Sequence, residues 1–199
     1  MIDGTHLPLI GEETHLRADA VRNRARLLEA AARLAAERGA AAITMETVAA
    51  EAGVGKGTVS RRFGDRNGLL QALLDHSEQR FQEAFLSGPP PLGPEADPAT
   101  RLRAFGPALL HHERANLDLY LAAEPAAERR FAVPPRRLRH THVAMLVRAL
   151  LPDADAELLA HALLSSVEVV LVDHLVRDHG MPLARVEAGW HDLVDRLLG

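Results

Sequence analysis

Apolar residues recur at three- and four-residue spacing along almost the whole chain, and no segment alternates as a half-buried strand would. The pattern predicts an all-α protein of about nine helices. A first helix is expected from about Asp19 to Arg38, with Leu27, Leu28, Ala31, Leu34 and Ala35 on one face and Gly39 as its left-handed stop. Thr44 is placed to cap a short helix over about 45–52. Gly53-Val54-Gly55 interrupts it, and a second short helix is expected over about 56–63. Asp65 then reads as the cap of a longer helix through Leu70, Leu74, Phe81 and Phe85.

Ser87 to Pro98 holds five prolines and two glycines, a run that cannot propagate helix and so marks a boundary. Beyond it, helices are expected near 99–114, 117–124, 136–151, 155–178 and 183–198, with a Pro-bearing loop around Phe131–Pro135. The division expected is a flexible arm (1–18), an amino-terminal domain of three helices (19–65), a connecting helix (66–86) and a body (87–199).

The two short helices are the informative part. Two turns of helix are unstable alone, because nucleation is costly. Val48, Ala49, Val54, Val59 and Phe63 supply a small apolar core where such helices cross, and Gly53 stands where a tight turn needs positive φ. This is a helix-turn-helix arrangement, in which the second helix is held up to enter a major groove. Its exposed side carries Lys56, Thr58, Ser60, Arg61 and Arg62, cations and hydroxyls suited to phosphates and base edges. On composition alone, an ordinary solvated helix with two arginines fits equally well.

Charge distribution changes that balance. The net charge is −4, yet residues 17–66 hold ten Lys/Arg against six Asp/Glu, a local +4, while residues 1–16 carry −3 and residues 67–199 carry −5. A basic segment on an acidic body is the asymmetry expected when one end meets a polyanion. There is no cysteine, which excludes a disulfide framework, a cysteine-ligated metal and a thiol nucleophile. No uninterrupted run of about 18 apolar residues argues for a membrane span, and Met1 to His15 carries no Lys or Arg, unlike a secretory signal. A cytoplasmic protein is expected.

With AAARLAAERG followed by ITMETVAAEAGVGKGTVSRRFGDRNGLL, the stretch from Arg24 to Leu74 closely resembles the DNA-binding domain of the TetR family of transcriptional regulators. The glycines, Thr58, Phe63 and the paired leucines stand in the family's register. By position, the resemblance implies phosphate contacts from Thr47, Lys56, Arg62 and Arg66, and base or sugar contacts from Gly57, Thr58 and Arg61. Arg22 and Arg24 would add contacts at the flanking backbone. Three positions depart from the pattern: Ser60 replaces the usual Tyr, Gly55 a common capping Ser, and Asn67 a common Glu. Ser60 is therefore expected in an altered contact set.

The stretch 155–178 is apolar on more than one face, so one side can pack on its own body and another on a partner. The final helix repeats Leu183, Val186, Trp190, Leu193, Val194 and Leu197 as a narrow seam. Leu163, Val170, Leu175, Val186, Trp190, Leu193 and Leu197 are the expected residues of a two-fold, four-helix dimer interface. TetR-like proteins pair in this way, which implies a homodimer on a palindromic double-stranded operator, most commonly as a repressor.

The middle helices offer Phe85, Phe105, Leu109, Tyr120, Met145, Leu146, Leu164 and Val167, with His142 and Glu168 as polar anchors, as the lining of a pocket for a small, largely apolar effector. Plain core packing is the competing reading for each aromatic residue and for Met145. The histidines show no i, i+4 metal pair, so no metal and no cofactor is expected. Ser165, Ser166, His161 and Glu168 lie in no nucleophile elbow or phosphate loop, so an enzyme is not expected. A constitutive DNA-binding protein without an effector is the remaining alternative.

Overall fold

The computed structural model describes residues 10–122 and 134–199, with the backbone alone for 10–18, 121 and 122. Every regular element among them is a helix. The chain forms two compact units, Met1–Leu73 and Leu74–Gly199.

The first unit opens with α1, Ile10–Arg38, which starts well before the expected Asp19, so 10–18 is helix and not a flexible arm. The remainder of that expected arm, 1–9, lies outside the described residues. Gly39 ends α1 with the positive φ expected of a glycine stop, 77°, though its ψ of 167° lies outside the left-handed helical region. A 3-10 turn over Ala40–Ala42 follows, then α2 (Met45–Glu51) and α3 (Lys56–Phe63). Thr44 caps α2 through a reciprocal pair: its hydroxyl accepts from Thr47 N–H, and Thr47 Oγ1 accepts from Thr44 N–H at 2.9 Å. Leu27, Leu28, Ala31 and Leu34 of α1 are buried together with Ile43, Val48, Ala49, Val59 and Leu69. That shared core supplies the stability that two-turn helices lack by themselves. Val54 and Phe63 are only half-buried.

The division between the units falls within α4, Arg66–Leu86. In the second unit the Ser87–Asp97 connection is held by Arg101, whose guanidinium donates to Leu92 O at 3.1 Å and Phe85 O at 3.0 Å. Asp97 caps α5 (Pro98–Ala115) by accepting from Ala99 and Thr100 N–H. The short α6 (Leu117–Ala122) follows, and the rest of the expected 117–124 helix and the residues before Pro134 lie outside the described residues. α7 (Pro134–Leu150) begins at the proline pair, because proline at a first helical position removes no helical hydrogen bond.

The core of this unit joins Phe81, Phe85, Phe105, Leu109, Leu146, Val147, Val167 and Trp190. Phe81, Phe85 and Phe105 pack as an aromatic trio, with Phe85 edge-on to both neighbours at 5.3 Å. Trp190 lies on Gly106 so closely that a Cβ there would stand 2.0 Å from the indole, and Trp190 Nε1 donates to Leu102 O at 3.1 Å. A glycine with no local turn to make is thus fixed by a ring 84 positions further along the chain (190 less 106).

The expected single helix over 155–178 is two: α8 (Ala156–Ser166) and α9 (Val169–Arg177). The cause is Glu168, which leaves the helical region at ψ 133° and accepts from Val170 and Leu171 N–H, capping α9. By length and composition Ala156–Arg177 is apolar enough to cross a membrane, but the break leaves pieces shorter than the ~20 residues of a span. α10, Leu183–Leu198, closes the chain.

Candidate nucleic-acid interface and body cavity

In the first unit, Gly53 at φ 66° turns the chain between α2 and α3. Val59 is buried beneath α3 while Lys56, Gly57, Arg61 and Arg62 are exposed and Thr58 and Ser60 are half-exposed. Open space surrounds the Cα of Gly57, so backbone can be approached closely there. Gly55 is the N-cap residue of α3 and supplies no side-chain cap. Among the described residues, Arg61 bonds to the carbonyl of Gly57 on its own helix, at 3.3 Å. Lys56 pairs with Glu46, and this contact holds the Glu46 carboxyl below its ordinary pKa.

The other three expected phosphate-contacting residues also have intramolecular partners. Thr47 Oγ1 donates toward Ala42 O at 2.8 Å and shares the cap with Thr44. Arg62 Nη2 donates to Ala20 O on α1 at 2.7 Å. Arg66 donates from Nε to Ile43 O at 2.8 Å and from Nη2 to Ala40 O at 3.0 Å, closing the carbonyls of the 3-10 turn. At the flank, Arg22 pairs with Asp19 at 2.5 Å, and Arg24 lies over the Phe63 ring at 5.7 Å. Arg26, which the sequence reading passed over, reaches Ala52 O at 3.4 Å.

The second unit contains a cavity of about 500 Å³. Leu109, Leu164, Val167 and Glu168 of the expected pocket line it, with Glu113, Arg136, Arg137, Arg139, His140, Thr141, His161 and Ser165. Phe85, Phe105 and Leu146 are instead sealed in the core, and Met145 faces solvent at 45% exposure. His142 is wedged between Phe85 and Phe105, at 4.5 and 5.2 Å between ring centroids. Burial, reinforced by the charge of Arg101, lowers its pKa to about 4. The lining is more charged than the sequence pattern indicates, because Arg136, Arg137 and Arg139 open α7 and there look like a solvated helix end.

Beside the cavity lies a buried polar cluster. Arg139, 3% exposed, donates to Glu113 Oε1 at 2.6 Å and also binds Glu78. The Tyr120 hydroxyl joins them, donating to Glu78 and accepting from Arg139 at 2.8 Å. His112 Nε2 lies 2.9 Å from that hydroxyl, its ring stacked on Phe81 at 4.6 Å. Tyr120 thus belongs to this cluster and does not line the cavity. Burial raises the Glu113 carboxyl to about pKa 7, against the opposing pull of Arg139.

Of the expected interface residues, Leu163, Val186 and Trp190 are buried in the unit's own core, and Leu175 and Leu197 are half-buried. Val170 and Leu193 are exposed, and Leu158 and Leu171 join them as large apolar side chains open to solvent.

Comparison with known proteins gives a concordant result. Residues 27–73 match the signature described as bacterial regulatory proteins, tetR family. The chain is 33% identical over 144 residues to an HTH-type transcriptional repressor of Mycobacterium tuberculosis, covering 70% of this chain and 67% of the relative. Among solved structures, a transcriptional regulator from Saccharomonospora viridis in complex with choline superposes with a TM-score of 0.69 at 20% identity, over 88% of this chain and 96% of that one. The multidrug binding protein EbrR, complexed with imidazole, does so with a TM-score of 0.53 at 25% identity, over 89% of this chain and 95% of that one.

Proposed function

Because the chain belongs to the TetR family of bacterial transcriptional regulators, we propose that it is a cytoplasmic homodimeric repressor, not an enzyme, released from a palindromic operator by a small effector. The observation that carries the DNA-binding part is the outer face of α3, where Lys56, Gly57, Thr58 and Arg61 stand together above a buried Val59. In this reading Arg61 and Thr58 meet base edges or sugar, Gly57 lets the backbone close on the duplex, and Lys56 meets phosphate. Arg62 and Arg66 position the recognition helix through their carbonyl bonds, with unused N–H donors on each guanidinium left for phosphate. Ser60, Thr47, Arg22 and Arg24 complete the contact set at its edges.

The exposure of the large apolar side chains of Leu158, Val170, Leu171 and Leu193 on α8, α9 and α10 supports pairing of two copies through the last helices. A cavity of about 500 Å³ supports the effector, and the M. tuberculosis relative is itself described as a repressor. The mechanism is population shift: an effector that prefers a body conformation with the wrong spacing of the two recognition helices weakens operator binding by that preference.

Selection of duplexes from a random pool by the full chain tests the proposal. A two-fold symmetric consensus bound by two copies is the expected outcome. Recovery of no enriched sequence, or a monomer on DNA, would sink it.

A further inference from the structure

We infer that the body cavity takes an amphiphilic organic anion, its head group held by Arg137 and its aliphatic portion by Leu109, Leu164 and Val167. This deepens the effector part of the function proposed above and rests on it. The inference comes from which charges in the cavity wall already have partners. Glu168 has Arg136 on Oε1 at 2.8 Å, while its Oε2 caps α9 at 2.9 Å from Val170 N. Arg139 is bound to Glu113 and Glu78. His140 contacts Glu157 through both ring nitrogens, at 3.0 Å to its carbonyl and 3.6 Å to its carboxylate.

Arg137 is different. It is exposed, it lines the cavity, and no side-chain partner holds it among the described residues. Its neighbours do not cancel its charge: Thr141 and Ser165 spend their hydroxyl protons on carbonyls of their own helices, which leaves the guanidinium as the donor for an anion, and His161 stacks on His140 at 3.9 Å. The proline pair Pro134-Pro135 removes two of the N–H donors that the start of α7 would otherwise offer, which shifts the binding of an anion here toward side chains. A guanidinium without a carboxylate partner among the described residues, in a wall that also carries aliphatic side chains, selects a negative head on an apolar body.

Titration calorimetry on the full chain with octanoate, 1-octanol and octyltrimethylammonium tests this. Octanoate should bind at least about tenfold more tightly than either the alcohol or the cation, since a charge-assisted hydrogen bond is gained. Arg137→Gln should erase that preference while leaving the thermal midpoint unchanged, because the side chain has no partner to lose among the described residues. Arg80→Gln, an exposed arginine outside the cavity lining, should keep the preference. Tightest binding of the cation, equal binding of all three, or an intact preference in Arg137→Gln would overturn the assignment. Operator release is read separately: octanoate binding that leaves operator affinity unmoved supports the anion site and contradicts the effector reading alone.

Discussion

In the first unit Arg62 and Arg66 reach carbonyls on neighbouring elements and stay exposed, whereas in the second Arg139 is almost wholly buried between Glu78 and Glu113. The same residue type thus does two kinds of work. A surface guanidinium bound to a carbonyl gives up little hydration and keeps donors for a polyanion. A buried one has exchanged water for two carboxylates, and removing it strands both.

The largest effect should follow from that difference. Arg139→Ala is expected to lower unfolding free energy by about 3–5 kcal/mol, as loss of one partner from a buried ion pair does. Arg62→Ala should cost under about 1 kcal/mol yet weaken DNA binding across sequences. Equal urea midpoints for the two variants would erase the distinction. Gly106→Ala comes next, at about 1–3 kcal/mol from overpacking, because the added methyl group meets the Trp190 ring. A shifted Trp190 emission spectrum should accompany it.

Two buried titrations then give opposite pH slopes. Glu113 titrates at about 7 in the folded state against the ordinary 4.5 of a glutamate, so its contribution is full at low pH and is lost as pH rises between those values. Glu113→Gln should remove that decline. His142 titrates at about 4 when folded against the ordinary 6.5 of a histidine, so stability is lost as pH falls through that window. His142→Phe should flatten the acid limb in thermal melts. If neither variant changes the slope of melting temperature with pH, these two burials are not the cause.

How much of this was legible in sequence follows the same division. The first unit is built from local devices: Thr44 with Thr47, the Gly53 turn and the apolar spacing of α1 lie close along the chain, and the sequence displays them. The 10–18 extension of α1 was missed because its spacing is weakly apolar. In the second unit the decisive contacts join Glu78, Glu113 and Arg139, separated by 61 and 26 positions, which no local pattern encodes. The break after α8 was missed because Glu168 in an apolar run looks like a pocket anchor before it looks like a cap. Arg137 was missed for a related reason, since an arginine-rich helix start is ordinary on a surface.

The smallest expected change sits at the first unit's least supported helix end. Gly55 has extended backbone and open space around its Cα, so Gly55→Ser can supply the missing cap of α3 and add a few tenths of a kcal/mol, about the known Ser–Gly difference. Chemical denaturation monitored by circular dichroism would register it, and a loss of stability would show that the cap position is misassigned.

The most direct test of groove recognition by α3 is the affinity of the full chain for its selected operator as a function of salt, alongside Arg61→Ala. The expected result is a steep linear fall of log K with log salt, a preference over competitor DNA, and about 1–3 kcal/mol of that preference lost in Arg61→Ala. A flat salt response, or an operator preference untouched by Arg61→Ala, would contradict it.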